Sequence, residues 1–477
     1  MPERVLIAGG GVGGLTAALA LGRAGHEVTL LERDVLEELA DADAAFATER
    51  RGAPQAHHTH GFLARLQVTL RDRFPDVLDD LLAAGGMTMP MTAALGDPRP
   101  GDEDLKVIIV RRTTLEWVIR KAAQAQDHVT VRTGAAVAGV LTSGADEQGT
   151  PIVSGVRLED GEEIAADVVI AATGRRGDVP GWLGAIGVAV PETIHESGLM
   201  YLTRWYHRAA SALDLDPKLG GDLGFVKYLG VPGDGDTLSV TLAIRTDDSA
   251  LRTALSDNDR FDTACHVLPG PDQFFVDGAP AMEPIGDVRP MAGLLNRLRT
   301  FTDGAGQPTV LGFHALGDAH TTTNPLYGRG CSLAAVQAVN LADAFAAHPG
   351  DHRARAVQYE AGNKAEIEPW WENAVQMDKL GSDPAGSRAL GDGGAEGSPA
   401  AKALGAVFVA AATDPIIGRG IARFMNLLQT PMQLMADGEL MGRIAEVVAD
   451  PDQFPLPPRE GPSRRKLLEQ LGAEAAA

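Results

Sequence analysis

The residues Arg4-Val-Leu-Ile-Ala8 form a short apolar run that ends in Gly9-Gly10-Gly11-Val12-Gly13-Gly14. An unbroken apolar run of that length reads as a buried parallel strand. The Ala/Leu-rich residues 14–24 read as a helix, and His26–Leu31 alternates into a second strand, so the chain opens with a βαβ unit. The glycines fit GxGxxG between strand and helix. Gly9 permits the tight turn, Gly11 lets backbone N–H groups approach a pyrophosphate, and Gly14 lets helix and strand pack closely. Glu32 closes the second strand about twenty residues on, where a carboxylate grips ribose hydroxyls. Strand, glycines, helix, strand and acid in this order point to a Rossmann-type dinucleotide site. They do not separate FAD from NAD.

A second constellation lies near the far end. Thr309–Phe313 reads as a buried strand and leads into Gly317-Asp318-Ala319, then Asn324-Pro325, then Gly328-Arg329-Gly330. A helix of small residues over 331–346 follows. Asp318 is placed to accept hydrogen bonds from a polyol chain. The helix N-terminus supplies N–H donors and a positive dipole, which suits the electron-rich N1/C2=O edge of a reduced flavin.

The two halves together resemble the FAD-dependent monooxygenases of the aromatic-hydroxylase fold. Three stretches are similar to the bacterial branch that includes polyether epoxidases: Pro54-Gln55-Ala56-His57-His58-Thr59-His60, Arg112-Thr113-Thr114-Leu115-Glu116 and Tyr201-Leu202-Thr203-Arg204-Trp205-Tyr206. The resemblance covers residues 4–345 well and the C-terminal helices weakly. It implies that Gly9, Gly11 and Gly14 hold FAD, that Glu32 binds the adenosine ribose, and that Arg112 reaches the phosphates or ribityl region. Asp318 would bind the ribityl chain, and Pro325, Gly328 and Gly330 would line the flavin ring. Arg33, Gln55, Val137, Gly174 and Cys331 complete the expected cofactor lining. The implied activity is insertion of one oxygen atom from O2 into a small apolar substrate through a flavin C4a-(hydro)peroxide, by epoxidation or hydroxylation, in bacterial secondary metabolism. The alkene is favoured. The implied electron source is NAD(P)H, directly or through a flavin reductase.

One departure stands out. Where the aromatic hydroxylases carry an Asp-Gly pair after the strand Val168–Ala171, this chain reads Ala171-Ala172-Thr173-Gly174-Arg175-Arg176. No second dinucleotide fingerprint is present, so direct reduction by NAD(P)H is expected to be poor. His58 and His60 face one side of an extended loop, where they contact flavin or substrate or cap local structure. No catalytic residue is otherwise assigned. His57, His58 and His60 lack the Cys, Asp or Glu partners of a metal site, so no metal is expected. Cys331 at a helix N-terminus is expected to have a lowered pKa. Met425, Met432, Met435 and Met441 read as core or pocket lining.

The expected architecture is α/β: a Rossmann-like FAD domain with an inserted mixed-sheet substrate domain and C-terminal helices. The FAD domain spans 1–80 with 105–190 and 301–350. The substrate domain takes 81–104 with 191–300, where Leu199–Tyr206, Leu223–Leu229 and Thr237–Ile244 read as long antiparallel strands. Residues 351–477 are helical, with a mobile Gly/Ser/Ala loop over 381–400, and Asp414-Pro415 reads as a helix start. A net charge of −22 argues against nucleic acid or an anionic membrane as partner. Two cysteines, Cys265 and Cys331, fit a reducing cytoplasm, and the apolar run Ala403–Ala412 is too short to span a bilayer. Rival readings are a flavin halogenase, whose Trp-x-Trp-x-Ile-Pro signature is not found, a reductase of prenyl-type double bonds, and a non-enzymatic flavin-binding protein.

Overall fold

A computed structural model describes residues 2–208, 220–275, 282–382, 399–456 and 460–473. The greater part of the expected 381–400 loop lies outside these residues.

Five parallel strands form the central sheet. In chain order they are Arg4–Ala8, Glu27–Glu32, Val129–Thr133, Val168–Ala171 and Phe313–Ala315, and in space they run fifth, fourth, first, second, third. This is the doubly wound order. The winding reverses beside the first strand, so a crevice opens beyond the carboxyl ends of Arg4–Ala8 and Val168–Ala171. Successive residues of the first strand feed opposite faces, as a period of two requires. Val5 and Ile7 join the core beneath the helices Val12–Arg23, Arg112–Gln124 and Gly330–Ala347. Leu6 and Ala8 join a second core under the three-stranded sheet Val137–Ala145, Pro151–Leu158 and Glu163–Ala165. By length and composition Gly330–Ala347 would suffice to cross a membrane. Here it packs against Val12–Arg23 inside the first core.

The expected strand at Thr309–Phe313 begins later, at Phe313. Gly312 has φ +65°, and a Cβ there would meet the Val153 carbonyl oxygen at 2.5 Å. The chain kinks at that glycine, and Leu311 bridges Ile152 instead.

A second sheet of five strands is antiparallel throughout. Its order is Gly220–Asp222, Val226–Gly233, Thr237–Arg245, Leu199–His207, Glu283–Met291. The strand expected at Leu223–Leu229 starts at Val226, because the Asp222 carboxylate accepts from Gly224 N (2.7 Å) and turns the chain into a hairpin. One face of the sheet carries Met200, Leu202, Tyr206, Leu238, Val240 and Leu242 into a core beneath the helices Ser249–Leu255, Asn258–Val267 and Arg464–Gln470. The other face turns toward the crevice. A buried ion pair ties the two bodies together. The Asp234 carboxylate accepts from Arg111 N and Nη2 (2.7 and 2.6 Å) and from the Thr114 hydroxyl (2.7 Å).

Towards the C-terminus, the helix His352–Glu366 closes under the sheet, where the Tyr359 hydroxyl donates to Ala315 O (2.7 Å). Asp414 caps the helix Pro415–Met425 as expected, accepting from Ile416 N and Ile417 N. Arg419 on that helix forms a buried pair with Asp102 (2.8 Å).

Candidate active site

The glycine turn divides by physical role. Gly9 has φ +112°, and a Cβ there would fall 2.4 Å from Ala172 O. A Cβ on Gly14 would fall 1.9 Å from Gly9 O. Both glycines are demanded by the chain itself, and Gly14 serves packing rather than cavity lining. Gly11 differs, because a Cβ there meets nothing within 4 Å and its φ is −88°. No contact within the protein asks for glycine at that position. It lines the cavity at the start of Val12–Arg23, whose N-terminus has no side-chain cap. Free N–H donors and the helix dipole therefore face open space, the arrangement that takes a phosphate.

Glu32 is buried at the end of the second strand. Its Oε2 accepts from Gly10 N (2.8 Å) and Arg50 Nη2 (2.8 Å), and its Oε1 accepts from Asp34 N (2.8 Å). A carboxylate has about four lone-pair sites, so Oε1 keeps one for a ligand hydroxyl. Arg50 also donates to Glu116 Oε2 (2.5 Å) and Gly10 O (3.2 Å). Burial opposes its charge, but Glu116, Glu32 and Asp34 outweigh burial and hold its pKa above the usual value. Sequence reasoning missed Arg50, which sits in a loop with no pattern around it. Arg112 donates to Glu116 Oε1 (2.9 Å) and to His60 (3.2 Å) and lines the cavity. Arg33, Gln55, Val137 and Gly174 line it as well.

The second constellation forms across the crevice. Gly317 N is held by Gln337 Oε1 (2.7 Å). Behind the turn, Arg297 donates to Asp318 O (3.1 Å) and Arg175 O (2.9 Å), and Arg299 to Ala319 O (2.8 Å). These two arginines, at alternate positions of the strand Leu295–Arg299, were also missed. The Asp318 carboxylate has no hydrogen-bond donor among the described residues and faces the cavity. Burial raises its pKa, against the pull of Arg112, Arg175, Arg297 and Arg299. Gly328 takes the left-handed conformation (φ +66°) that ends Pro325–Tyr327, and Gly330 has open space where a side chain would be. Between them Arg329 is buried and points away, donating to Trp370 O (3.0 Å) and Asn373 Oδ1 (2.7 Å). Cys331 corrects an expectation. Burial pushes its thiol pKa up despite Arg112 nearby, because a desolvated thiolate costs more than the helix start returns.

The three stretches Pro54–His60, Arg112–Glu116 and Tyr201–Tyr206 meet at one junction. Trp205 Nε1 donates to His57 O (2.7 Å), His58 Nδ1 lies 2.9 Å from Thr203 Oγ1, and His60 lies against Arg112. His57 turns away, toward Thr48 O (3.2 Å). His58 and His60 both line the cavity. Burial lowers their pKa values, to about 4 for His58 and about 3 for His60, so both rings are neutral at pH 7. No group of three or more metal-ligating side chains occurs among the described residues.

These surfaces enclose one cavity of about 790 Å³. It runs from the Gly9–Gly13 turn, past Asp318 and Gly330, to Tyr201, Leu229, Thr241 and Met291 of the antiparallel sheet. Tyr201 is fixed by its hydroxyl, which donates to Asn324 Oδ1 (2.7 Å), and Asn324 in turn donates to Asp378 (2.9 Å).

The parallel sheet with its helices, faced by an antiparallel sheet across the crevice, matches the fold of FAD-dependent monooxygenases. No protein-family model and no curated protein matches the chain. Solved structures do. PqsL of Pseudomonas aeruginosa, a probable FAD-dependent monooxygenase, is 19% identical, covering 82% of this chain and 97% of that one, with a TM-score of 0.57. The flavin-dependent brominase Bmp2 is 15% identical, covering 95% and 100%, with a TM-score of 0.58. The Diels-Alderase PyrE3 of pyrroindomycin biosynthesis is 16% identical, covering 89% and 80%, with a TM-score of 0.57. Three different activities on one fold leave the reaction to the site.

Proposed function

We propose that this protein is an FAD-dependent monooxygenase that inserts one oxygen atom from O2 into a small apolar molecule. One observation carries the reading: a single cavity joins a dinucleotide cradle to an apolar chamber, and the positions left open in the cradle are those a flavin nucleotide requires. The Gly11 turn and the N-terminus of Val12–Arg23 would take the pyrophosphate, and Glu32 Oε1 the adenosine ribose. Asp318 would take the ribityl hydroxyls, and the turn from Pro325 to Gly330 the ring. Bound and reduced, FAD supplies the electrons that activate O2.

The chain's own part is binding, orientation and exclusion of water. Leu229, Ala243, Met291 and Leu326 line the chamber and offer water no hydrogen bonds. Tyr201 is locked by Asn324, which fixes the sheet wall against the ring-binding turn. The junction of the three epoxidase-like stretches at this chamber favours an alkene as the group oxidised, with an aromatic carbon as the other outcome. Oxygen consumption stoichiometric with a product carrying one atom of ¹⁸O from ¹⁸O2 tests the proposal. A reduced or halogenated product without the label would refute it.

The aspartate at position 318 gives a direct check on the cofactor. Asp318→Ala removes a carboxylate with no donor among the described residues, so the apo protein is expected to keep its melting temperature. FAD affinity should fall by roughly 1.5–3 kcal/mol, the worth of a hydrogen bond to a charged group. Full FAD occupancy in dialysed Asp318→Ala protein would show that the role given to Asp318 is misassigned.

Electron supply is proposed to come through a separate flavin reductase. At the end of Val168–Ala171 the expected acid is absent, and Asp178 further on caps its own helix, accepting from Gly181 N (3.0 Å). Hydride transfer needs the nicotinamide held about 3–3.5 Å from the flavin, and a nucleotide without a grip rarely samples that pose. Anaerobic stopped-flow should show slow bleaching of the oxidised-flavin band by NADPH, with or without substrate. Fast bleaching would identify a self-sufficient enzyme.

A further inference from the structure

The sheet wall of the chamber carries a directed string of hydroxyls. Strand register sets Lys227, Ala243, Tyr201 and Met291 side by side in one row. The next row on the same face is Leu229, Thr241, Thr203 and Arg289. Thr241 donates its hydroxyl proton to Thr59 (2.7 Å). With that proton committed, the short contact between Thr203 and Thr241 (2.6 Å) is made by the Thr203 proton. Thr203 Oγ1 then has only lone pairs for His58 Nδ1 at 2.9 Å, so the imidazole proton sits on Nδ1. In a neutral ring this leaves Nε2 as an acceptor. No donor among the described residues reaches Nε2, and the ring lines the cavity. Burial, then Arg289, His57 and Arg175, keep the ring uncharged down to about pH 4.

Among the described residues the same wall offers no unpaired charge. Lys227 is the cation it turns into the cavity, and Asp222 already holds it. Arg289 is paired with Glu49 (2.5 Å) and Arg112 with Glu116 (2.9 Å). At this wall a carboxylate-bearing guest would have to compete with the carboxylates that already hold these cations, which is costly.

We propose that the chamber takes an uncharged, largely apolar molecule bearing a hydroxyl, and that His58 Nε2 accepts the hydrogen bond from that hydroxyl and so fixes which end of the molecule faces the flavin site. This rests on the monooxygenase reading for the identity of the guest as substrate, but not for its binding. Thr203 is a positioning residue: it touches His58, not the guest.

Binding can be measured without turnover. Calorimetry on the protein as purified would compare three probes of one shape: 2-naphthol, naphthalene and 2-naphthoate. The expected result is about tenfold tighter binding of 2-naphthol than of either other probe, the scale of one buried hydrogen bond. His58→Phe should abolish the preference and leave naphthalene affinity unchanged. Thr203→Val keeps the imidazole but frees its tautomer, and should lose part of the preference with the fold and flavin content intact. Equal affinities, tightest binding of 2-naphthoate, or no binding of 2-naphthol up to its solubility limit would overturn the proposal. So would a His58→Phe protein that loses flavin but keeps the preference, since Nε2 would then serve the flavin N3–H. A preference for 2-naphthol in a protein that fails the ¹⁸O2 test would leave this inference standing and remove the monooxygenase reading alone.

Discussion

Gly11→Val is expected to abolish FAD binding while leaving the melting temperature of the apo protein unchanged. Gly14→Ala, a smaller change three residues on, is expected to cripple folding itself. The contrast follows from what each new atom would meet. At Gly11 nothing lies within 4 Å and the backbone is in a region open to any residue. A valine there fills only the space reserved for a pyrophosphate, so the loss should exceed about a hundredfold in Kd, or roughly 3 kcal/mol. At Gly14 a Cβ would lie 1.9 Å from the Gly9 carbonyl oxygen and 3.2 Å from Ala172 Cβ. Neither neighbour is a flexible side-chain tip. The first strand, its turn and its helix must separate, a strain of at least about 1–3 kcal/mol. Thermal melts of both apo proteins, beside flavin fluorescence titrations, check the pair. A Gly11→Val protein that still binds FAD would mean that the pyrophosphate lies elsewhere.

Glu32→Ala is expected to weaken both cofactor affinity and the fold, whereas a carboxylate that met only ribose would affect affinity alone. Glu32 already accepts from Gly10 N, Asp34 N and Arg50. Its removal strands two backbone donors at a buried site and takes one of the carboxylates that hold Arg50, at about 1–3 kcal/mol for each buried group left without a partner. The same Gly10 N–H bond shapes the turn that approaches the phosphate. Apo stability should therefore drop by a few kcal/mol, and FAD affinity by roughly a further 1–3 kcal/mol. Glu32→Gln, with its amide oxygen at the Oε2 position, keeps the acceptor for Gly10 N and Arg50 but turns an NH2 toward Asp34 N, and should recover part of both. An unchanged melting temperature with weakened FAD binding would show that the bonds to Gly10 and Asp34 contribute little. The pH dependence of stability can be checked at His58, whose folded pKa is lowered to about 4. The unfolded ring titrates near 6.5, so His58 destabilises the fold as pH falls below that value and adds nothing to the slope above it.

What the sequence determined by itself was the part of the site built from neighbours in the chain. A strand, three glycines at fixed offsets, a helix and an acid at the next strand end are local requirements of one turn. The turn was legible as far as the steric demands at Gly9 and Gly14, and so was the second glycine turn ahead of Gly330–Ala347. Tertiary structure decided what depends on segments that meet only after folding. Arg50 has no periodic context, and its role exists only because its loop falls between Glu32 and Glu116. Arg297 and Arg299 became supports of Asp318 when an antiparallel strand came to lie behind the turn. The Cys331 thiol failed its expectation because a helix start is a local signal and burial is not. The string from His58 to Thr59 arises from register, which pairs Thr203 with Thr241 and sets them beneath a loop 145 and 182 residues earlier in the chain. Local propensity and spacing are written along the chain, while the partner of a side chain across a sheet or a crevice is set by which surfaces the whole core brings together.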